Sequence, residues 1–98
     1  MLTKSGMNSS NNAYQIAQIA MAELKSAIYL ILCESGAEGM RNVDIGRALG
    51  IYKGHIEHEG HISRTLLAIM EDEGVVTQDK GSKLWRPRNF AEEPESLS

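Results

Sequence analysis

One short amphipathic segment, followed at once by two valines, constrains the fold of this chain more than any other feature. Residues 61–76 read HISRTLLAIMEDEGVV. Apolar side chains recur there at helical spacing, at Ile62, Leu66, Ile69 and Met70. This pattern predicts a helix of about three and a half turns over residues 61–73, buried on one face. Gly74 is expected to end the helix, and Val75 and Val76 are expected to begin a strand.

The size and cysteine content limit the protein class. The chain has 98 residues, enough for one small domain with a single core. Cys33, its one cysteine, excludes an internal disulfide, is typical of a reducing cytoplasm and is expected to be buried. We find no charge-free apolar run of about 18 residues and no basic-then-apolar order of a signal peptide. The sequence therefore predicts a cytoplasmic protein that does not span a membrane.

The net charge of -3 is unevenly distributed. Residues 39–88 carry eight Lys or Arg against seven Asp or Glu, a net of +1. Residues 89–98 carry Glu92, Glu93 and Glu95 without a base, and we expect them to form a disordered acidic tail. Because residues 39–88 are only weakly basic, they would bind DNA poorly at physiological salt through phosphate contacts alone.

The N-terminal third predicts a long helix after a disordered start. Residues 1–11 are polar and are expected to be disordered. Asn12 and Gln15 have the spacing of a capping box, and no Pro or Gly intervenes before Gly36. Residues 13–22 are alanine-rich and apolar on more than one side, so they need a cover. Either a second copy packs there or the helix folds back near Glu23; we favour a homodimer through residues 12–23.

The middle of the chain predicts a short strand at residues 40–41 and a second, short helix over residues 42–50. Asn42 is expected to cap that helix and Gly50 to end it. Its buried side is expected to comprise Val43, Ile45, Ala48 and Leu49. Residues 51–60, IYKGHIEHEG, then form a linker to the amphipathic helix.

A β-hairpin is predicted after that helix. Residues 75–78 form its first strand, residues 79–82 a turn, and residues 83–86 its second strand, which Pro87 ends. Trp85 is expected to cover the core.

This order of elements resembles the winged helix-turn-helix superfamily over residues 24–88. The motifs that carry the resemblance are NVDIGRALG at residues 42–50, ISRTL at 62–66 and EDEGVV at 71–76. A weaker likeness is to winged-helix accessory modules of restriction-modification enzymes. The resemblance implies an α+β, mostly α, domain over residues 12–88 with three helices and a C-terminal β-hairpin wing, its first helix extended at the N-terminus. The linker is longer than a plain helix-turn-helix turn.

The resemblance also implies sequence-specific binding of double-stranded DNA, by a transcriptional regulator or a DNA-reading accessory protein. The sequence shows no catalytic constellation, so we expect neither enzymatic activity nor a cofactor. The helix over residues 61–73 would read the major groove, and the hairpin would hold the backbone or minor groove. The implied DNA-binding side chains are polar or basic: His61, Ser63, Arg64, Thr65, Lys80, Lys83, Arg86, Arg41 and Lys53. A solvated helix face and a charge-protected edge strand would show the same residues.

Two other functions stay open. The acidic balance favours a protein-interaction module that binds no DNA, with Leu67 and the first helix holding a protein partner. His55, His58 and His61 follow one another at intervals of three residues, the spacing of metal ligands on one face of a helix. The second alternative is therefore a metal-responsive switch.

Overall fold

The fold is a mostly helical α+β domain, as predicted. The computed structural model describes residues 5–52 and 60–88, with side chains from residue 10 onward. Within these ranges the chain forms helices α1 (Ser5–Ser35), α2 (Asn42–Ala48) and α3 (His61–Asp72), with a 3-10 turn at Gly36–Glu38. Strands β1 (Val76–Gln78) and β2 (Trp85–Pro87) pair antiparallel as a hairpin. The predicted tail at residues 89–98 lies outside the described residues.

Helix α3 ends as its sequence predicts. The amide of Glu73 still donates to the carbonyl of Ile69, at 2.9 Å, and Gly74 then turns the chain with φ of +83°. The left-handed region is open to glycine at little steric cost, which makes it a common residue just past a helix end. The amide of Val75 donates back to the carbonyl of Met70, at 3.1 Å, so β1 begins directly on the end of α3.

The buried face of α3 is rotated from the predicted one. Ile62, expected in the core, is 42% exposed, whereas Leu67, which the alternative protein-interaction function assigned to a partner, is fully buried. All three helices and both strands contribute to the core, whose members are Ile28, Leu32, Ile45, Leu66, Leu67, Met70, Val76 and Trp85. Burial of Trp85 is confirmed, while Cys33 is only half-buried.

Helix α1 begins at Ser5, so the prediction of disorder fails for residues 5–11. Asn12 and Gln15 lie inside the helix and do not cap it. At 31 residues, α1 is about 46 Å long, and its core members, Ile28 and Leu32, lie only in its C-terminal part. Every residue from 10 to 20 is exposed, and we call this segment the overhang.

Among the described residues, Ser10–Glu38 is long and apolar enough to cross a membrane by length and composition, with a mean hydropathy of 1.6 over an 18-residue window. The sequence prediction did not anticipate this, because it required a run free of charge. The second half of α1 nevertheless serves the domain core, where Ile28 and Leu32 are fully buried.

The hairpin is joined to the turn after α1. Val76 pairs with Pro87 and Gln78 with Trp85, so β2 begins two residues later than predicted and includes Pro87. The predicted strand at residues 40–41 is a single bridge, in which the amides of Met40 and Trp85 each donate to the other's carbonyl, at 2.9 and 2.7 Å.

The second helix has the predicted position but a different start and burial. Arg41, in extended conformation, precedes α2, and Asn42 is its first residue rather than its cap. Ala48 is exposed rather than buried. Ile45 supplies the fully buried apolar contact of α2, as predicted.

Candidate nucleic-acid interface

The outward face of α3 is polar at its N-terminal end. His61, Arg64, Thr65 and Ala68 are all exposed, on the side of the helix away from Leu66, Leu67 and Met70. This placement agrees with the predicted exposure of three of the four candidate residues on the helix. Arg64 also takes part in an interaction within the protein.

Ser63, the fourth candidate, is fully buried, and the prediction that it contacts DNA is wrong. Its hydroxyl donates to Oδ1 of Asn42 at 2.7 Å, and the Nδ2 of Asn42 donates to the carbonyl of Gly60 at 3.2 Å. A buried hydroxyl needs such a partner because burial without a hydrogen bond is costly. Asn42 is therefore a positioning residue that attaches the start of α3 to α2.

Two glycines make room for this junction. A Cβ on Gly46 would lie 3.1 Å from both Ser63 Oγ and Tyr52 Cδ1, so only a bare backbone lets α2 approach the start of α3 this closely. Gly60 precedes α3 with φ of +83°, and a Cβ there would lie 2.8 Å from Asn42 Nδ2. The packing of α2 against the start of α3 thus fixes the orientation of the outward face of α3.

The C-terminal end of α3 is acidic but partly paired. The Nζ of Lys25 on α1 lies 2.7 Å from Oε2 of Glu73, and the Nζ of Lys80 on the hairpin lies 3.6 Å from Oε2 of Glu71. Both pairs are solvent-accessible, so each adds at most about 1 kcal/mol to stability. Their main effect here is to reduce the negative charge that the helix end would present to a polyanion.

A carboxylate organises the turn of the hairpin. Oδ2 of Asp79 accepts hydrogen bonds from both the amide and the hydroxyl of Ser82, each at 2.7 Å. These two hydrogen bonds hold the pKa of Asp79 below its ordinary value, and the bond from the backbone amide has the larger effect. Lys83 follows with φ of +69°, so this basic residue is presented from a constrained, exposed turn.

The remaining basic candidates are placed differently from one another. The Nε of Arg86 donates to the carbonyl of Ala37 at 2.6 Å, so one of its donors ties β2 to the 3-10 turn. Arg41 is exposed just before α2. Lys53 lies outside the described residues. Because Lys80 reaches Glu71, the hairpin turn sits beside the C-terminal end of α3, and the structure does not gather all the candidates at one point.

The described residues contain no cluster of three or more His, Cys, Asp or Glu that could hold a metal. His61 is exposed at the start of α3. The other two predicted ligands, His55 and His58, lie outside the described residues, so the metal hypothesis stays a prediction.

Two apolar grooves flank α1, and the sequence prediction missed them. The first, which we call the α1–α3 groove, has a volume of about 270 Å³ and is lined by Met21, Leu24, His61, Ile62, Thr65 and Leu66. The second, of about 470 Å³, lies on the other flank of α1 beside Tyr29, Leu30, Met70 and Val75. The only signal in the sequence was the two-sided apolar pattern of the first helix.

Comparisons with models of protein families, with curated proteins and with solved structures find no match.

Proposed function

We propose that this protein binds double-stranded DNA in a sequence-specific manner, with α3 as its reading helix, as a transcriptional regulator or the DNA-reading accessory of a larger system. The observation that carries the proposal is the outward face of α3, which exposes His61, Arg64 and Thr65 while the opposite face is anchored in the core. In this proposal the domain is a winged helix, and the hairpin is its wing.

The dimensions of α3 suit the major groove. Its 12 residues span about 18 Å, and a groove about 12 Å wide admits one α-helix. Arg64 would read a guanine edge through two hydrogen bonds, and Thr65 would bond a base or a phosphate. Because Asn42 and Ser63 hold the first turn of α3 to α2, these side chains start from a fixed backbone.

The basic residues around α3 would position the protein on the DNA backbone. Lys80 and Lys83 project from the hairpin turn, and Arg41 lies exposed before α2. Such contacts add affinity without reading sequence. A weakly basic domain gains little from them alone, so specific contacts by α3 must supply much of the affinity.

Selection of bound duplexes from a random pool, followed by fluorescence anisotropy at two salt concentrations, tests the proposal. We expect Arg64→Ala to lose about 1–3 kcal/mol on the selected site and to relax preference at one base pair. Lys83→Ala should weaken binding to all duplexes alike and reduce the salt slope by about one.

A matched control is Lys25→Gln, which also removes one cation but lies on α1, paired with Glu73. It should leave the selected motif unchanged and weaken binding to all duplexes slightly, because it uncovers the charge of Glu73. Absence of any selected motif together with absence of salt-dependent binding would overturn the proposal.

The second candidate function is a winged-helix protein-interaction module. The two apolar grooves beside α1 and the net charge of -3 favour it. Capture of a defined protein partner by the wild-type chain, with no DNA binding at low salt, would select this alternative.

A further inference from the structure

Arg47 lies on the last turn of α2 and stacks on an aromatic ring. Its Cζ lies 4.9 Å from the centroid of the Tyr52 ring, within the distance at which the face of an aromatic ring attracts a guanidinium. Arg47 is exposed, whereas Tyr52 is partly buried. The ring therefore supports the guanidinium from the protein side and leaves it accessible from the solvent.

The Tyr52 ring is itself held at the junction of α2 and α3. A Cβ on Gly46 would lie 3.1 Å from Cδ1 of Tyr52, and a Cβ on Gly60 would lie 2.8 Å from its Cε1. The ring thus packs against the backbone of both glycines. Because Gly60 directly precedes α3, the guanidinium of Arg47 lies about one ring's breadth from the start of the proposed reading helix.

The guanidinium of Arg47 has no anionic partner in the part of the chain that the structure describes. Lys25 and Lys80 each pair with a glutamate, whereas no described carboxylate forms an ion pair with Arg47. This holds even for Asp44, which lies one turn earlier on α2. An arginine presents its N–H donors in a planar fork that matches two oxygens of a phosphate. Arg47 is therefore oriented and available for an oxyanion.

We propose that Arg47 binds a backbone phosphate of the DNA at the edge of the major groove that α3 occupies. This inference rests on the proposed function. A helix in a groove about 12 Å wide has a phosphate backbone along each side, so a cation beside the start of α3 lies at the distance of that backbone. Stacking on Tyr52 orients the fork in the free protein, which reduces the side-chain ordering that binding would otherwise cost.

Fluorescence anisotropy over a series of salt concentrations tests the phosphate contact. Arg47→Gln should weaken binding to all duplexes about tenfold, the effect of losing one charge-assisted hydrogen bond, and should reduce the salt slope by about one. Arg47→Lys keeps the charge and should keep the slope. Its affinity should fall between those of the wild type and Arg47→Gln, because an ammonium does not form the two parallel hydrogen bonds of a guanidinium.

A double-mutant cycle tests the role of the ring. Tyr52→Leu removes the stack and should weaken binding about threefold, whereas Tyr52→Phe keeps the ring and should bind like the wild type. In an Arg47→Gln background, Tyr52→Leu should cause no further loss, because no guanidinium is left to orient. An equal loss in both backgrounds would show that Tyr52 acts through the placement of α3, and would overturn the proposed role of the ring.

Urea unfolding separates the phosphate contact from a structural role of Arg47. A basic residue in the last turn of a helix stabilises the helix itself, and losing that effect lowers the free energy of unfolding without changing the salt slope of DNA binding. If the wild type binds its selected site and Arg47→Gln keeps the wild-type slope, the inference is overturned and the proposed function stands. A wild type with no selected motif and no salt-dependent binding overturns both.

Discussion

Gly60 is the residue on which the placement of α3 most directly depends. It has φ of +83° and would carry a Cβ 2.8 Å from both Asn42 Nδ2 and Tyr52 Cε1. We expect Gly60→Ala to destabilise the domain by more than the 1–2 kcal/mol that left-handed backbone costs an ordinary residue, because the contacts add to that strain. Urea unfolding measures the loss.

Gly50 provides the matched control for Gly60. Its φ is +74°, nearly the same, but nothing lies within 4 Å of its Cβ position. Gly50→Ala should therefore cost about 1–2 kcal/mol, the backbone strain alone. Equal losses for the two variants would show that the contacts around Gly60 relax freely.

Asp79 makes the hairpin turn sensitive to acid. Its hydrogen bonds to Ser82 lower its pKa below the ordinary 3.8, so the charged form stabilises the turn. This contribution is fully present above pH 3.8 and is lost as the pH falls through the lowered value. Amide hydrogen exchange at Ser82 should accelerate over that lower range in the wild type, and Asp79→Ala, which has no side-chain acceptor, should exchange fast at every pH. A pH-independent wild-type rate, after correction for intrinsic exchange, would contradict this.

At the scale of elements, local signals were sufficient for most of the fold. The spacing of Leu66 and Met70, the stop at Gly74 and the two valines correctly predicted α3 and the strand after it. Gly50 and the turn residues after Gln78 likewise located the end of α2 and the hairpin. These signals operate within a few residues, so a sequence displays them directly.

Features that depend on distant partners were not predictable in the same way. Ser63 is buried and Ile62 exposed because Asn42, 21 residues earlier, supplies a hydrogen-bond partner and Gly46 supplies the space. Hydrophobicity alone would bury Ile62 and expose Ser63. The early start of α1 at Ser5 was missed because residues 5–11 are polar and lack the apolar period that marks a packed helix.

Arg86 makes one of the contacts that join the hairpin to the rest of the domain, so the basic residues of the hairpin should differ in their effect on stability. We expect Arg86→Gln to lower the free energy of unfolding by about 1 kcal/mol, because the hydrogen bond to Ala37 links β2 to the turn after α1. Lys83→Gln, in the exposed turn, should leave it unchanged. Chemical denaturation of the two variants measures the difference; equal stabilities would mean that the Ala37 contact contributes nothing.

At the scale of the whole molecule, the structure consists of a core domain and one helix that is too long for it. A single core of about eight buried apolar side chains, typical of a small domain, supports the second half of α1. The first half extends beyond that support. The same helix therefore has two environments, one packed inside the chain and one exposed at its surface, where the sequence predicts a homodimer.

In the homodimer that the sequence predicts, the overhang would also couple secondary structure to protein concentration. A helical segment of 11 exposed residues lacks the tertiary packing from which most helices in proteins gain stability, and an isolated helix of that length is marginal in water. When no second copy is bound, residues 10–20 should fray from their free end while the core stays folded. In that predicted homodimer, folding of this segment and association of two chains would be a single equilibrium, and the helical fraction per chain would rise with protein concentration.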